Sequence, residues 1–155
     1  MKNNLKGRLI AAAQFSILII AFTLILFENK FYVNEINRTL SLIGDILFVI
    51  CILLFLAVLI NFRQIITPNP VPLNNSKLIT NGIYKYIRHP MYSIVLLMVL
   101  ALILKYNSFY TIFFLPIIFL FFIFKINFEE KQLIKKFPKY SEYKKTSKKL
   151  IPFIY

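Results

Sequence analysis

Residues 40–60 read LSLIGDILFVICILLFLAVLI, and this run decides the fold. As a helix it reaches roughly 31 Å, the thickness of a hydrocarbon core of about 30 Å. A helix on a soluble core keeps one polar face, and this stretch has none. Its single charge, Asp45, lies one turn from the start. There a carboxylate meets the positive end of the helix dipole and reaches water, which suits it better than a proton relay. Cys51 has no cysteine partner in the chain, so it is read as packing, and neither a disulfide nor a metal site is predicted.

Three further apolar runs flank it: Leu9 to Phe27, Met91 to Leu104 and Phe109 to Phe124. The first reaches roughly 28 Å, the other two roughly 21 and 24 Å. Only Lys105, Tyr106, Asn107 and Ser108 separate the last two, a spacing that predicts a tight helical hairpin. The fold class is therefore all-α: a polytopic membrane bundle of four transmembrane helices. Hydrophobic residues make up 59% of the 155, and mean hydropathy is +0.70. One domain fills residues 1–155, with two spans in 1–60, a loop in 61–90, the hairpin in 91–124 and a tail in 125–155.

The formal charge of +13 is a topology signal. Sixteen of the nineteen basic residues fall in 1–8, in the loop and in the tail; only Lys30, Arg38 and Lys105 fall on the other side. The positive-inside rule puts both termini and the loop in the cytoplasm, so the protein is expected to be integral and multi-pass. This leaves no need for nucleic acid as a partner. The first run lacks a small-residue cleavage site at Phe27-Glu28-Asn29-Lys30 and is expected to stay as a membrane helix. Gln14 is expected to make an interhelical hydrogen bond. No ladder of charges crosses the spans, which disfavours a transporter.

The polar chemistry gathers in the loop and the tail. Thr67-Pro68-Asn69-Pro70-Val71-Pro72 is not regular helix, because proline restricts itself and the residue before it. Asn74-Asn75-Ser76 and Asn81-Gly82 are turn signals. The loop ends in the chain's only histidine, within Arg88-His89-Pro90-Met91-Tyr92. Pro90 fits the first turn of the third helix, which leaves His89 near the N-cap beside backbone N–H groups that suit an anion. In the tail, Glu129 and Glu130 stand among lysines. They diverge by about 100° on a helix, so they face different ways. Glu130, Leu133, Phe137 and, if the helix bends at Pro138, Tyr140 share a face. Alternatively, a solvated face of Glu–Lys pairs explains both acids. The final Leu150-Ile151-Pro152-Phe153-Ile154-Tyr155 reads as an interfacial segment or a lid.

Leu78-Ile79-Thr80-x-Gly82-x-Tyr84-x-Tyr86-x-Arg88-His89-Pro90-x-Tyr92, then a hairpin, then Glu129-Glu130-x-x-Leu133 with Phe137, Tyr140, Tyr143 and Pro152, resembles the isoprenylcysteine carboxyl methyltransferase family and its phospholipid methyltransferase relatives. The likeness covers residues 78–152. It implies a membrane-embedded methyltransferase that uses S-adenosyl-L-methionine, bound between the loop and the segment after the hairpin. By that resemblance Arg88, His89 and the helix start at Pro90 hold the cofactor's carboxylate. Glu129 and Glu130, also the catalytic candidates, take its ammonium or the acceptor. Tyr84, Tyr86 and Tyr92 pack the adenine and face the sulfonium; alternatively they form an interfacial aromatic belt. Tyr140 and Tyr143 close the tail.

Three positions depart from the family pattern: Ile83 where proline is frequent, Ile94 where a small residue is common, and Pro138 with a shortened spacing to Tyr140. Membrane lipids and a lipophilic or lipidated acceptor are the implied partners. An isoprenylated thiol or carboxylate, a phospholipid amine or another amphiphile all remain open as acceptor. The rival reading is a non-catalytic scaffold whose basic tail binds lipid or a partner.

Overall fold

The computed structural model describes residues 2–31, 37–62, 67–73 and 76–151. Arg63, Asn74, Asn75 and Pro152 to Tyr155, which carry part of the charge count, the turn cluster and the terminal segment, lie outside them. The described elements are helical: α1 (Lys2–Phe31), α2 (Arg38–Phe62), α3 (Pro90–Tyr106), α4 (Leu115–Lys136) and α5 (Tyr140–Thr146), with 3-10 turns at Gly82–Lys85 and Thr111–Phe114. One parallel β-bridge joins Ile87 to Lys148.

Three stretches are long and apolar enough to cross a membrane: Asn3–Phe31, Arg38–Ile60 and Thr111–Lys136. The helix at Pro90–Tyr106 is apolar but shorter, so length alone supports three crossings where four were expected. Leu5, Leu9, Phe15, Ile19, Leu42, Val49, Leu53 and Ile60 are exposed along α1 and α2. Apolar surface on this scale is what a bilayer covers.

Several helix ends have a local reason. Asn37 caps α2, its Oδ1 accepting from the Leu40 N–H at 3.1 Å. Pro90 stands in the first turn of α3 behind His89 at the N-cap. Asn107 ends α3 in the left-handed region, with φ of 52°, a conformation that asparagine tolerates better than most residues. Extended Phe137 terminates α4 before Pro138, and the Tyr140 N–H returns to the Phe137 carbonyl at 2.9 Å as α5 starts.

The expected hairpin pairing of the last two runs is not the dominant contact. The broadest interface of α3 is with α2, and its contacts with α1 and α4 are narrower. Gly44 explains this: a Cβ there would meet the Ala101 carbonyl oxygen at 2.7 Å and the Lys105 backbone, so only glycine lets the two helices approach this closely. Cys51, Val58 and Ile94 fill the same interface. Ile94 therefore packs between α2 and α3. A second cluster, of Ala21, Ile25, Val99, Ile103, Ile118 and Phe122, joins α1, α3 and α4.

At the end away from Arg88, the buried Glu28 carboxylate of α1 accepts from the N–H groups of Tyr110 (2.9 Å) and Thr111 (3.0 Å) and from the Thr111 hydroxyl (2.7 Å). It thus satisfies the orphan donors at the start of the turn leading into α4. Asp45 pairs with Lys105 at 2.6 Å, and Asn107 Oδ1 accepts from the Asn37 N–H at 3.2 Å. At the other end lie the start of α1, the 67–73 segment, the start of α3 and the end of α4. Asn3 Nδ2 donates to Gln132 Oε1 at 3.4 Å, and Asn69 Nδ2 to Asn4 Oδ1 at 3.5 Å.

Candidate functional site

A cavity of about 560 Å³ opens at that end and runs into the apolar body. Its polar head carries Tyr84, Arg88, His89, Lys125, Glu129 and Tyr143; its depth is walled by Phe22, Ile25, Val99 and Leu102.

The Arg88-His89 segment is held by the tail. Arg88 N–H donates to the Lys148 carbonyl at 2.8 Å, His89 N–H to the Lys149 carbonyl at 3.1 Å, and Lys148 N–H to the Tyr86 carbonyl at 3.0 Å. Ser93 Oγ donates to the Leu150 carbonyl at 2.6 Å. Proline keeps the residue before it out of the helical region, and at His89 (φ −126°, ψ 59°) the backbone pairs with the tail instead.

Arg88 and Glu130 form a buried hub. Arg88 Nε donates to Glu130 Oε1 at 2.8 Å, and Nη1 reaches the Lys144 carbonyl at 3.1 Å and the carbonyl of Ser147. Lys144 Nζ approaches Glu130 Oε2 at 2.8 Å, and Tyr140 donates to Oε1 at 3.5 Å. The Arg88 and Glu130 side chains are 7% and 4% exposed, so the pair is desolvated, and the hydrogen bonds around it offset that cost. Tyr140 and Tyr143 close this corner. Burial pushes the Tyr140 hydroxyl far above the ordinary phenol range and raises Tyr143 as well. Tyr143 donates to the Tyr84 carbonyl at 2.5 Å.

Glu129 points the other way, into the cavity. Its Oε2 accepts from the Tyr92 hydroxyl at 2.7 Å, and its side chain keeps 25% of its exposure. The Tyr92 ring stacks between His89 (5.5 Å) and Phe122 (5.0 Å). His89 is buried; its Nδ1 stands 3.7 Å from Glu129 and its Nε2 3.6 Å from Glu130, and Nε2 has no hydrogen-bond partner among the described residues. Tyr84 lines the head of the cavity, its pKa pushed up to about 12 by burial and then by the Glu129 charge, so it stays a neutral phenol.

Seven of the eight site residues picked out in the sequence, Tyr84, Arg88, His89, Pro90, Tyr92, Glu129 and Glu130, therefore gather around one cavity. Glu130 stands behind it rather than in its lining. Leu133 and Phe137, expected on one face with Glu130, share the cavity wall with Glu129, whereas Tyr140 lines that wall and also reaches Glu130. Tyr86 stands apart, half exposed, with its backbone paired to the tail and its ring beneath Lys85.

Sequence reasoning missed Lys125, assigned to the tail beyond the last span. It is fully buried, reaching Gln14 Oε1 and, at 2.8 Å, the Pro68 carbonyl. The signal was present: Phe122, Lys125, Glu129 and Leu133 follow i, i+3, i+7 and i+11, one stripe of a helix.

The family model described as phospholipid methyltransferase matches residues 40–140. No curated protein and no solved structure matches the chain.

Proposed function

Because the chain belongs to the phospholipid methyltransferase family, we propose that it is a membrane methyltransferase that uses S-adenosyl-L-methionine and acts on a lipophilic acceptor, with its site facing the cytoplasm. The observation that carries this reading is Glu129. It is a carboxylate at the head of a cavity, bonded to one phenol and flanked by an imidazole whose Nε2 lacks a partner.

These residues fit the methyl donor, which combines a cationic sulfonium, an ammonium and a carboxylate. When bound, it supplies an electrophilic methyl group. Glu129 would hold the ammonium, and the face of Tyr84 suits a cation by its quadrupole; the Tyr92 ring, stacked between His89 and Phe122, would act through its hydroxyl bond to Glu129. His89, at the N-cap, offers a ring nitrogen to an anionic group. Arg88 and Glu130 act as positioning residues: their pairing holds the tail against the start of α3 and so fixes the polar head of the cavity. Glu129 also serves as proton acceptor where the acceptor atom is an amine.

The volume of about 560 Å³ falls within the range of about 300–1,000 Å³ typical of small-molecule sites. It suits a cofactor at the polar head and the head of an acceptor with the first part of its chain in the apolar depth. Phe15 and Phe22 of α1 line the cavity and are about half exposed on the apolar surface, which supports sideways entry from the bilayer.

Calorimetry of the detergent-purified protein with S-adenosyl-L-methionine tests the reading. Micromolar binding is expected, weakened about tenfold, or about 1.4 kcal/mol, by Glu129→Gln. No binding at millimolar cofactor overturns it.

A further inference from the structure

Lys125 is the one fully buried lysine among the described residues, and its ammonium faces the cavity. Its contacts are the Gln14 side-chain oxygen, the Pro68 carbonyl and the face of the Tyr92 ring, 5.0 Å away. All three are neutral. Among the described residues Glu129 bonds to Tyr92, Glu130 to Arg88 and Lys144, Glu28 and Asp45 lie at the opposite end of the helices, and Glu142 is exposed on α5. The Glu129 charge, one turn further along α4, acts on it through space while bonding to Tyr92. A buried cation whose direct partners are dipoles gains more from an arriving anion than an exposed one does, because the low dielectric strengthens the attraction.

Its depth gives the second argument. Lys125 precedes Glu129 by four residues of α4, roughly 6 Å nearer the apolar body. Passing from the apolar depth to the polar head, a ligand meets Phe22, Ile25 and Leu102, then the Lys125 cation, then Tyr92 and the Glu129 anion. That order matches an amphiphile whose aliphatic chain ends in an anionic group.

We propose that Lys125 anchors the anionic group of the amphiphilic acceptor at the boundary between the cavity's apolar depth and its polar head. The inference rests on the methyltransferase reading for the word acceptor. With the cofactor's ammonium on Glu129, Lys125 is the charge left to choose the acceptor's head. A head that carries only an ammonium is repelled; a carboxylate or a lipid phosphate is drawn in. Gln14 and Pro68 serve as positioning groups that hold the ammonium in place until the anion arrives.

The test compares single-chain probes of equal length, dodecanoate, dodecyl phosphate, dodecylammonium and dodecanol, competing with a fluorescent long-chain carboxylate on the full chain in an uncharged detergent. Both anions are expected to bind at least about tenfold tighter than the ammonium. Lys125→Arg should keep the preference and Lys125→Met remove it. The stronger of the two anions identifies the source, a carboxylate head or a phospholipid. Equal binding of anion and ammonium by the unaltered protein overturns the proposal without relying on any variant's folding. So does an unchanged preference in Lys125→Met. Cofactor binding without anion preference defeats this inference alone; anion preference without cofactor binding defeats the methyltransferase reading and leaves Lys125 as an anion anchor.

Discussion

At one end of the helices Glu28 is buried against three donors from a single turn, and at the other Glu130 is buried against an arginine, a lysine and a tyrosine drawn from three different segments. Both carboxylates are satisfied, yet their surroundings differ. At the Glu130 end stand a half-open Glu129, an imidazole nitrogen without a hydrogen-bond partner among the described residues and a buried lysine bonded to two neutral oxygens. At the Glu28 end the partnerless buried group among the described residues is Asn107 Nδ2, an amide without charge, and no cavity of charged side chains adjoins it; the role of Glu28 is complete once the turn into α4 is capped. The contrast separates polar groups that finish a fold from polar groups that wait for a ligand.

Removing Glu130 is expected to produce the largest effect. Glu130→Ala leaves the Arg88 guanidinium buried without its counter-charge, which costs about 3–5 kcal/mol. The apparent melting temperature in mild detergent should fall sharply, and an Arg88→Met, Glu130→Leu double variant should recover much of the loss. A small drop in the single variant would mean that water already reaches the hub.

Glu28→Ala comes next, at about 2–3 kcal/mol for a buried cap that serves three donors. Melting temperature should fall while cofactor affinity in the surviving folded protein stays unchanged. A parallel loss of affinity would break the comparison, because it would couple the two ends.

The difference between the ends also bears on what sequence could tell. Residues 40–60 became α2 with two residues added at each end, because an unbroken apolar run leaves no other way to satisfy its backbone. The run at 9–27 became a helix spanning Lys2–Phe31, since polar residues at both ends extend a helix that hydropathy alone cannot see. Arg88, His89, Glu129 and Glu130 were legible as one cluster because both flanks of an apolar pair of helices return to the same end. Which glutamate faces inward was not, because about 100° of helix phase decides it and hydropathy does not fix that phase. Glu28 and Lys125 were hidden for a related reason: a charge at the edge of an apolar run reads as solvent-facing until the neighbouring helix is in place. The α2–α3 pairing was hidden in Gly44, whose significance depends on what lies opposite it.

Alkaline titration sharpens the contrast at the motif end. Burial raises Tyr84 from 10.0 to about 12, and Tyr140 and Tyr143 move the same way. The folded state therefore holds protons that the unfolded chain releases near pH 10, so stability is fully present below that pH and declines as pH rises toward 12. Melting temperature should fall across this window, and Tyr84→Phe should flatten the slope. An unchanged slope in that variant would place the loss on other tyrosines.

The smallest effect belongs to the exposed pair at the far end. Asp45 and Lys105 lie 2.6 Å apart, with side chains 48% and 35% exposed. Water and salt screen such a pair, and holding two flexible side chains in one geometry offsets most of the attraction. Asp45→Asn should leave melting temperature unresolved from the unaltered protein at moderate salt. A clear fall that salt abolishes would show that the head-group region screens this pair less than bulk water does. The far end would then be held by charge as well as by the Glu28 cap and the close approach at Gly44, and the distinction between the two ends would rest on His89, Lys125 and Glu129 alone.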